Sequence, residues 1–208
     1  MDEILFSGYE ALVATVPFLL TLIICRYRQV KKGNTYSLHR LTMMAVFTIY
    51  IAGVLHFTGA GTLYDGLMYQ LELRLDQINF IPFSHDIDIA AYLLNILLFI
   101  PLGILAPVIW QKMNKLPNIL GTGLVFTTLI EVSQLANNRR TDIDDVLLNV
   151  LGAVLGFGIF KLLNKATNSK FQVNNPVVAE LIICIVTVFV SRFLLFNEMG
   201  LAKLLYGF

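Results

Sequence analysis

A chain of 208 residues with 57% hydrophobic and only 14% charged residues is too apolar for a soluble domain, in which charged residues make up about 25%. The composition is that of an integral membrane protein, and the apolar segments fill residues 1–208 as a single membrane domain with no room for a soluble one. With a formal net charge of +1, no nucleic-acid partner is expected.

Apolar runs of membrane length predict helices near 4–25, 41–63, 90–110, 118–136, 146–165 and 177–197, each with roughly the 20 residues needed to cross about 30 Å of hydrocarbon. The expected fold class is therefore an all-α membrane protein, a bundle of about six transmembrane helices. The first run opens on Asp2 and Glu3 and shows neither a basic leader nor a small-residue cleavage site before RYRQVKK. It reads as a retained anchor and not as a signal peptide. Cys25 and Cys184 lie inside apolar runs, where packing is the expected role. In the sixth run Glu180 and Arg192 fall near the ends, and the arginine is expected to snorkel to the interface.

Charge assigns sides to these helices. Arg26, Arg28, Lys31, Lys32 and Arg40 lie between the first two runs, Lys112 and Lys115 follow the third, and Lys161, Lys165 and Lys170 follow the fifth. The positive-inside rule places these connections in the cytoplasm. Both termini, the 64–89 connection and the turn at 137–145 are then predicted to be extracellular, and the acids Asp65, Glu72, Asp76, Asp86, Asp88, Asp142, Asp144 and Asp145 fall on that side.

The 64–89 connection has its own pattern. Leu67, Leu71 and Leu75 recur at helical spacing, as in an amphipathic helix lying on the membrane, while LELRLDQINF alternates as a strand does. Pro82 ends any helix, and INFIPF is expected to re-enter the outer leaflet or to cap the bundle. His85, beside Asp86, is a further candidate contributor from this connection.

Polar residues inside apolar runs are costly unless they face a partner, the bundle interior or water. Glu131 and Gln134 lie one turn apart at the end of the fourth run, with Arg139 and Arg140 just beyond. Asp142, Asp145, Asn149, Gly152 and Gly156 fall on one stripe of the fifth helix. Gly152 and Gly156 form a small-xxx-small pattern that admits a close neighbour. Asn95 adds an amide to the third run, where Pro101 and Gly103 are expected to kink or loosen the helix. A polar, outward-facing pocket lined by the third, fourth and fifth spans is the expectation.

Each member also has a purely structural reading. Thr141 and Asp144 match a capping box, Asn95 and Asn149 can bond neighbouring helices, and Glu131 can pair with Arg139. These readings leave a surplus, since a cap needs one carboxylate and the turn has three. Three chemistries fit that surplus: oxygen ligation of a hard divalent cation, a guanidinium clamp on phosphate or carboxylate, and general acid or base catalysis by a buried carboxylate. The residues alone leave the metal, the cofactor and any catalytic role open.

The chain resembles the VanZ-like family of bacterial membrane proteins. The resemblance rests on INFIPF (78–83), on NILLFIPLG (95–103), and above all on Glu131-x-x-Gln134 followed by Arg139-x-x-Asp142-x-Asp144-Asp145-x-x-x-Asn149-x-x-Gly152. It is close over roughly 75–157, within a VanZ-like core of about 75–165. Arg139 takes the position of the family arginine and Arg140 a variable one. NNR stands where apolar residues and glycine are more usual. The resemblance implies a role in resistance to teicoplanin and lipoglycopeptide antibiotics in Gram-positive bacteria, and brings no established reaction. The candidate binding residues are accordingly Glu131, Gln134, Arg139, Asp142, Asp144, Asp145, Asn149 and Asn95. Their expected ligand is a membrane lipid head group, a cell-wall precursor or the antibiotic itself. The alternatives are a membrane enzyme modifying an outer-leaflet lipid or wall precursor, and a structural scaffold or transporter.

Overall fold

The structure, a computed structural model, describes residues 2–31, 37–68, 77–84, 88–170, 172–173 and 179–207. Its elements in chain order are α1 (Asp2–Lys31), α2 (Leu38–Phe57), α3 (Leu63–Met68), β1 (Ile78–Asn79), α4 (Ile89–Ile109), α5 (Leu116–Gln134), β2 (Thr141–Asp142), α6 (Ile143–Ala166), α7 (Ala179–Leu195) and α8 (Glu198–Tyr206). Short 3-10 turns at Gln111–Met113 and Leu135–Asn137 flank α5. His85, Asp86, Leu71, Leu75, Glu72 and Asp76 lie outside the described residues.

Five of these helices are long and apolar enough to cross a membrane, within Ile4–Ile24, Leu38–Phe57, Ile89–Ile109, Leu116–Asn137 and Ile143–Ala166. The protein is a multi-pass membrane protein. The expected sixth span corresponds to α7, whose 17 residues reach roughly 25 Å at 1.5 Å per residue, slightly less than the hydrocarbon core. Large aliphatic side chains such as Ile23, Ile49, Leu97, Val125 and Leu162 are exposed on the outer faces of the bundle. A soluble protein would bury such a surface, whereas lipid is its natural solvent.

Local chemistry sets the helix ends. The Ser37 side chain accepts from Arg40 N to start α2, and Asp88 accepts from Ala90 N and Ala91 N to start α4. The second apolar run stops at Phe57 and not at 63, because Gly59 takes a left-handed conformation (φ 61°) that turns the chain. Thr62 and Asp65 then start α3 reciprocally: Thr62 N donates to Asp65 Oδ2 at 2.8 Å and Asp65 N to Thr62 Oγ1 at 3.1 Å.

The most extensive helix pairing is that of α4 with α6, and glycine makes it possible. A Cβ on Gly152 would sit 2.2 Å from Ile96 O, one on Gly156 2.0 Å from Ile100 O, and one on Gly103 2.0 Å from Ala153 O. Small residues on both helices thus let the backbones meet, and α4 runs unbroken through Pro101. On the other side of the bundle α1 packs on α7 and α2, and α2 in turn meets α4 and α7. Between these layers Phe47 meets Trp110 edge-on at 5.0 Å, and Phe99 lies 5.6 Å from Phe126.

Successive helices alternate in direction, which gathers the polar chemistry at one end. The starts of α1, α4 and α6 and the ends of α2, α5 and α7 meet there, as contacts among Glu10, His56 and Arg192 and between Tyr92 and Asp144 show. At the opposite end Arg40 pairs with Glu180 and Lys161 Nζ donates to Asn114 Oδ1 at 2.5 Å. The basic connections are therefore collected at one end and the acidic turn at the other.

Candidate functional site

The polar end is organised around the two-residue strand β2, which leads into α6. β2 pairs in parallel with β1, Ile78 opposite Thr141 and Asn79 opposite Asp142. The strand-like reading of the 71–80 segment is thus realised at its end. Glu131, buried at the end of α5, accepts from Asp142 N at 3.1 Å through Oε2, and its carbonyl accepts from Thr141 Oγ1 at 2.9 Å. Thr141 is spent on that bond. The expected capping box does not form, because Asp142 is the cap and accepts from Asp144 N at 3.0 Å.

The surplus carboxylates each meet a protein donor. Asp142 also accepts from Asn79 Nδ2 at 3.1 and 3.2 Å. Asp144 is buried and accepts from Phe83 N at 2.8 Å and Tyr92 Oη at 2.6 Å, which draws INFIPF across the start of α6. Phe80, Ile81 and Phe83 of that segment remain exposed. Asp145 accepts from Asn95 Nδ2 at 2.5 Å, joining α6 to α4. One turn deeper Asn149 donates to Thr127 Oγ1 of α5 at 2.8 Å. The predicted stripe therefore serves two neighbours: Asp145, Gly152 and Gly156 face α4, while Asn149 faces α5. Among the described residues, no group of three or more His, Cys, Asp or Glu comes together in a way that could hold a metal ion.

The arginine and the amides before β2 turn the other way, toward the end of α2. Gln134 Nε2 donates to Thr58 O at 2.7 Å, Arg139 Nη1 donates to the same oxygen at 3.0 Å, and Asn137 Nδ2 donates to Gly59 O at 3.0 Å. The expected Glu131–Arg139 ion pair is absent among the described residues, since each partner is drawn to a backbone group. Gly59 shapes this corner. Its φ is positive, and a Cβ would lie 1.9 Å from Arg139 Nη1.

A polar cavity of about 330 Å³ lies on that side, lined by Glu10, His56, Asp65, Asn137, Arg139 and Arg192. The expected pocket was placed elsewhere, between the third, fourth and fifth spans. The cavity lies between the turn and α1, α2 and α7, and of the eight predicted residues Arg139 alone lines it. Asn95 opens instead on a largely apolar cleft with Thr58 and Leu98.

Sequence reasoning missed Glu10 and misplaced Arg192. Arg192 is buried, and it does not snorkel: its Nε donates to Glu10 Oε1 at 2.6 Å and its Nη1 to Ala60 O. His56 Nδ1 lies 2.5 Å from the other Glu10 oxygen. The available signal was one acid in the first span and one arginine in the last, each costly in lipid alone.

The VanZ/LLP1 family model matches residues 45–164. That range includes all eight predicted residues and His56, and leaves Glu10 and Arg192 in flanking helices. Protein VanZ of Enterococcus faecium is 32% identical over 94 residues, 45% of this chain and 58% of that relative, so the chain covers less than two thirds of the relative's length. No solved structure matches significantly. With more than half of its residues inside the family match, this chain belongs to the VanZ/LLP1 family.

Proposed function

We propose that this protein acts in resistance to teicoplanin-type glycopeptide and lipoglycopeptide antibiotics, by binding a lipid head group or cell-wall precursor at its polar end and lowering drug access. The sidedness follows the positive-inside rule, which puts Arg26, Arg40, Lys112, Lys161 and Lys165 in the cytoplasm and the cavity at the outer leaflet. The observation that carries the reading is Arg139. It is exposed, lines a polar cavity and donates Nη1 to Thr58 O, and its Nε and Nη2 make no hydrogen bond among the described residues. A guanidinium fork left open at a membrane surface suits phosphate or carboxylate oxygens. The enzymatic alternative stays the second reading, since Glu131, Asp142, Asp144 and Asp145 each accept a hydrogen bond from a protein donor.

The test is teicoplanin susceptibility of a sensitive Gram-positive host expressing wild type or Arg139→Lys at matched membrane levels. Wild type is expected to protect and Arg139→Lys to lose protection, since charge is kept while the fork is lost. Equal protection by both would overturn the reading.

A further inference from the structure

The polar cavity does not end at its charged lining. An apolar groove of about 370 Å³ runs between α1 and α2 past Ala11, Ala14, Ala52 and Gly53, and it shares Glu10 and His56 with the cavity. From Ile49 to His56 the α2 side of this groove extends about 10 Å toward mid-membrane at 1.5 Å per residue. Small residues in a membrane helix commonly draw a neighbour close, as they do between α4 and α6. Here they leave space, since a Cβ added at Gly53 meets nothing within 4 Å.

The charges of the cavity sort into those already engaged and those left open. Arg192 and Glu10 engage each other, with His56 on the second Glu10 oxygen. Asp65 Oδ2 accepts from Thr62 N. Arg139 keeps Nε and Nη2 without a hydrogen-bond partner among the described residues. The open donors are thus those of the Arg139 guanidinium, at the mouth of a groove suited to a hydrocarbon chain. A ligand matching them carries anionic oxygens and an apolar tail.

We infer that cavity and groove form one site for a phospholipid, whose phosphodiester sits against Arg139 and whose acyl chain lies between α1 and α2. This rests on the head-group reading given above and names the ligand class. Selectivity among bilayer lipids comes from the head group, because their chains leave one apolar environment for another, whereas a water-soluble short-chain lipid also gains by burying its chain. The groove lets a chain remain in the bilayer while its phosphate enters the cavity.

The test titrates the purified full chain, in neutral detergent, with dihexanoyl phosphatidylglycerol and separately with glycerol phosphate, read by calorimetry. Wild type is expected to bind the lipid about tenfold or more tightly than glycerol phosphate. Arg139→Ala weakens both ligands. Gly53→Leu, whose Cβ meets nothing within 4 Å and whose side chain occupies the groove, weakens the lipid about tenfold and leaves glycerol phosphate unchanged. Equal affinity for the two ligands in wild type would show a free-phosphate site and overturn the proposal, as would lipid binding indifferent to both variants. If Gly53→Leu has no effect while Arg139→Lys still abolishes antibiotic protection, the lipid assignment alone fails. Lipid binding as described beside an Arg139→Lys variant that protects fully would sink only the resistance reading.

Discussion

Arg192 of α7 donates from Nε to Oε1 of Glu10 on α1 at 2.6 Å, and 182 positions of sequence separate the two. Both side chains are buried, and Nη1 of the same guanidinium reaches Ala60 O beyond the end of α2. One ion pair therefore fastens the first and last long helices to the turn that carries the polar cavity. Removing one member of such a pair leaves an uncompensated buried charge, at a cost of about 3–5 kcal/mol. Arg192→Leu and Glu10→Leu are each expected to lower unfolding stability in detergent by that order. The double variant should lose much less than the sum of the singles, and additive losses would show that the two groups do not depend on each other.

A second consequence concerns the α4–α6 contact. A Cβ at Gly152 would lie 2.2 Å from the Ile96 carbonyl oxygen, whereas one at Gly158 meets nothing within 4 Å. Gly152→Leu should thus force the helices apart and abolish stable accumulation in the membrane, while Gly158→Leu should accumulate like wild type. Comparable levels for the two variants in a membrane immunoblot would contradict the packing.

Asp144 is expected to behave as a structural carboxylate. It holds Phe83 N and Tyr92 Oη, and Asp144→Ala leaves both donors without it. A loss of about 3 kcal/mol is expected from two bonds to a charged acceptor. Hydrogen exchange should quicken first at Phe83, and protection there unchanged from wild type would count against the contact.

The apolar runs and the segregation of charge were legible in the chain because membrane length and lipid exclusion act on local sequence, although among the described residues five helices and not six have full membrane length and apolarity. The glycine pattern at Gly152 and Gly156 also told its own story, since close helix approach requires missing side chains wherever the partner lies. The assignment of partners was not legible. Thr141 and Asp144 look like a cap, yet Glu131 takes Thr141 and Asp142 does the capping, a choice made by the end of α5. Arg139 was recognised as a candidate, but its hydrogen-bond partner, Thr58 O, lies 81 positions away in sequence. The cavity it lines is completed by Glu10 and Arg192, from helices far away in sequence.

Gly59 offers a way to move Arg139 without altering it. The left-handed backbone at Gly59 disfavours any side chain by about 1–2 kcal/mol, and a Cβ would sit 1.9 Å from Nη1. Gly59→Ala should displace the guanidinium and bring antibiotic susceptibility toward that of the empty host, with only a modest fall in thermal stability. Full protection by Gly59→Ala would show that the position of Arg139 is immaterial.

Binding, lipid capture and antibiotic protection all require that the polar end face outward. The direct measurement is labelling of intact cells with a membrane-impermeant maleimide, using Asn138→Cys at the polar end and Lys165→Cys at the basic end in a Cys25→Ser, Cys184→Ala background. Asn138 is exposed in the turn, and Lys165 is exposed near the end of α6. The account predicts labelling of Asn138→Cys from outside and of Lys165→Cys only after permeabilisation. The reverse pattern would put the cavity in the cytoplasm and contradict the proposed function outright.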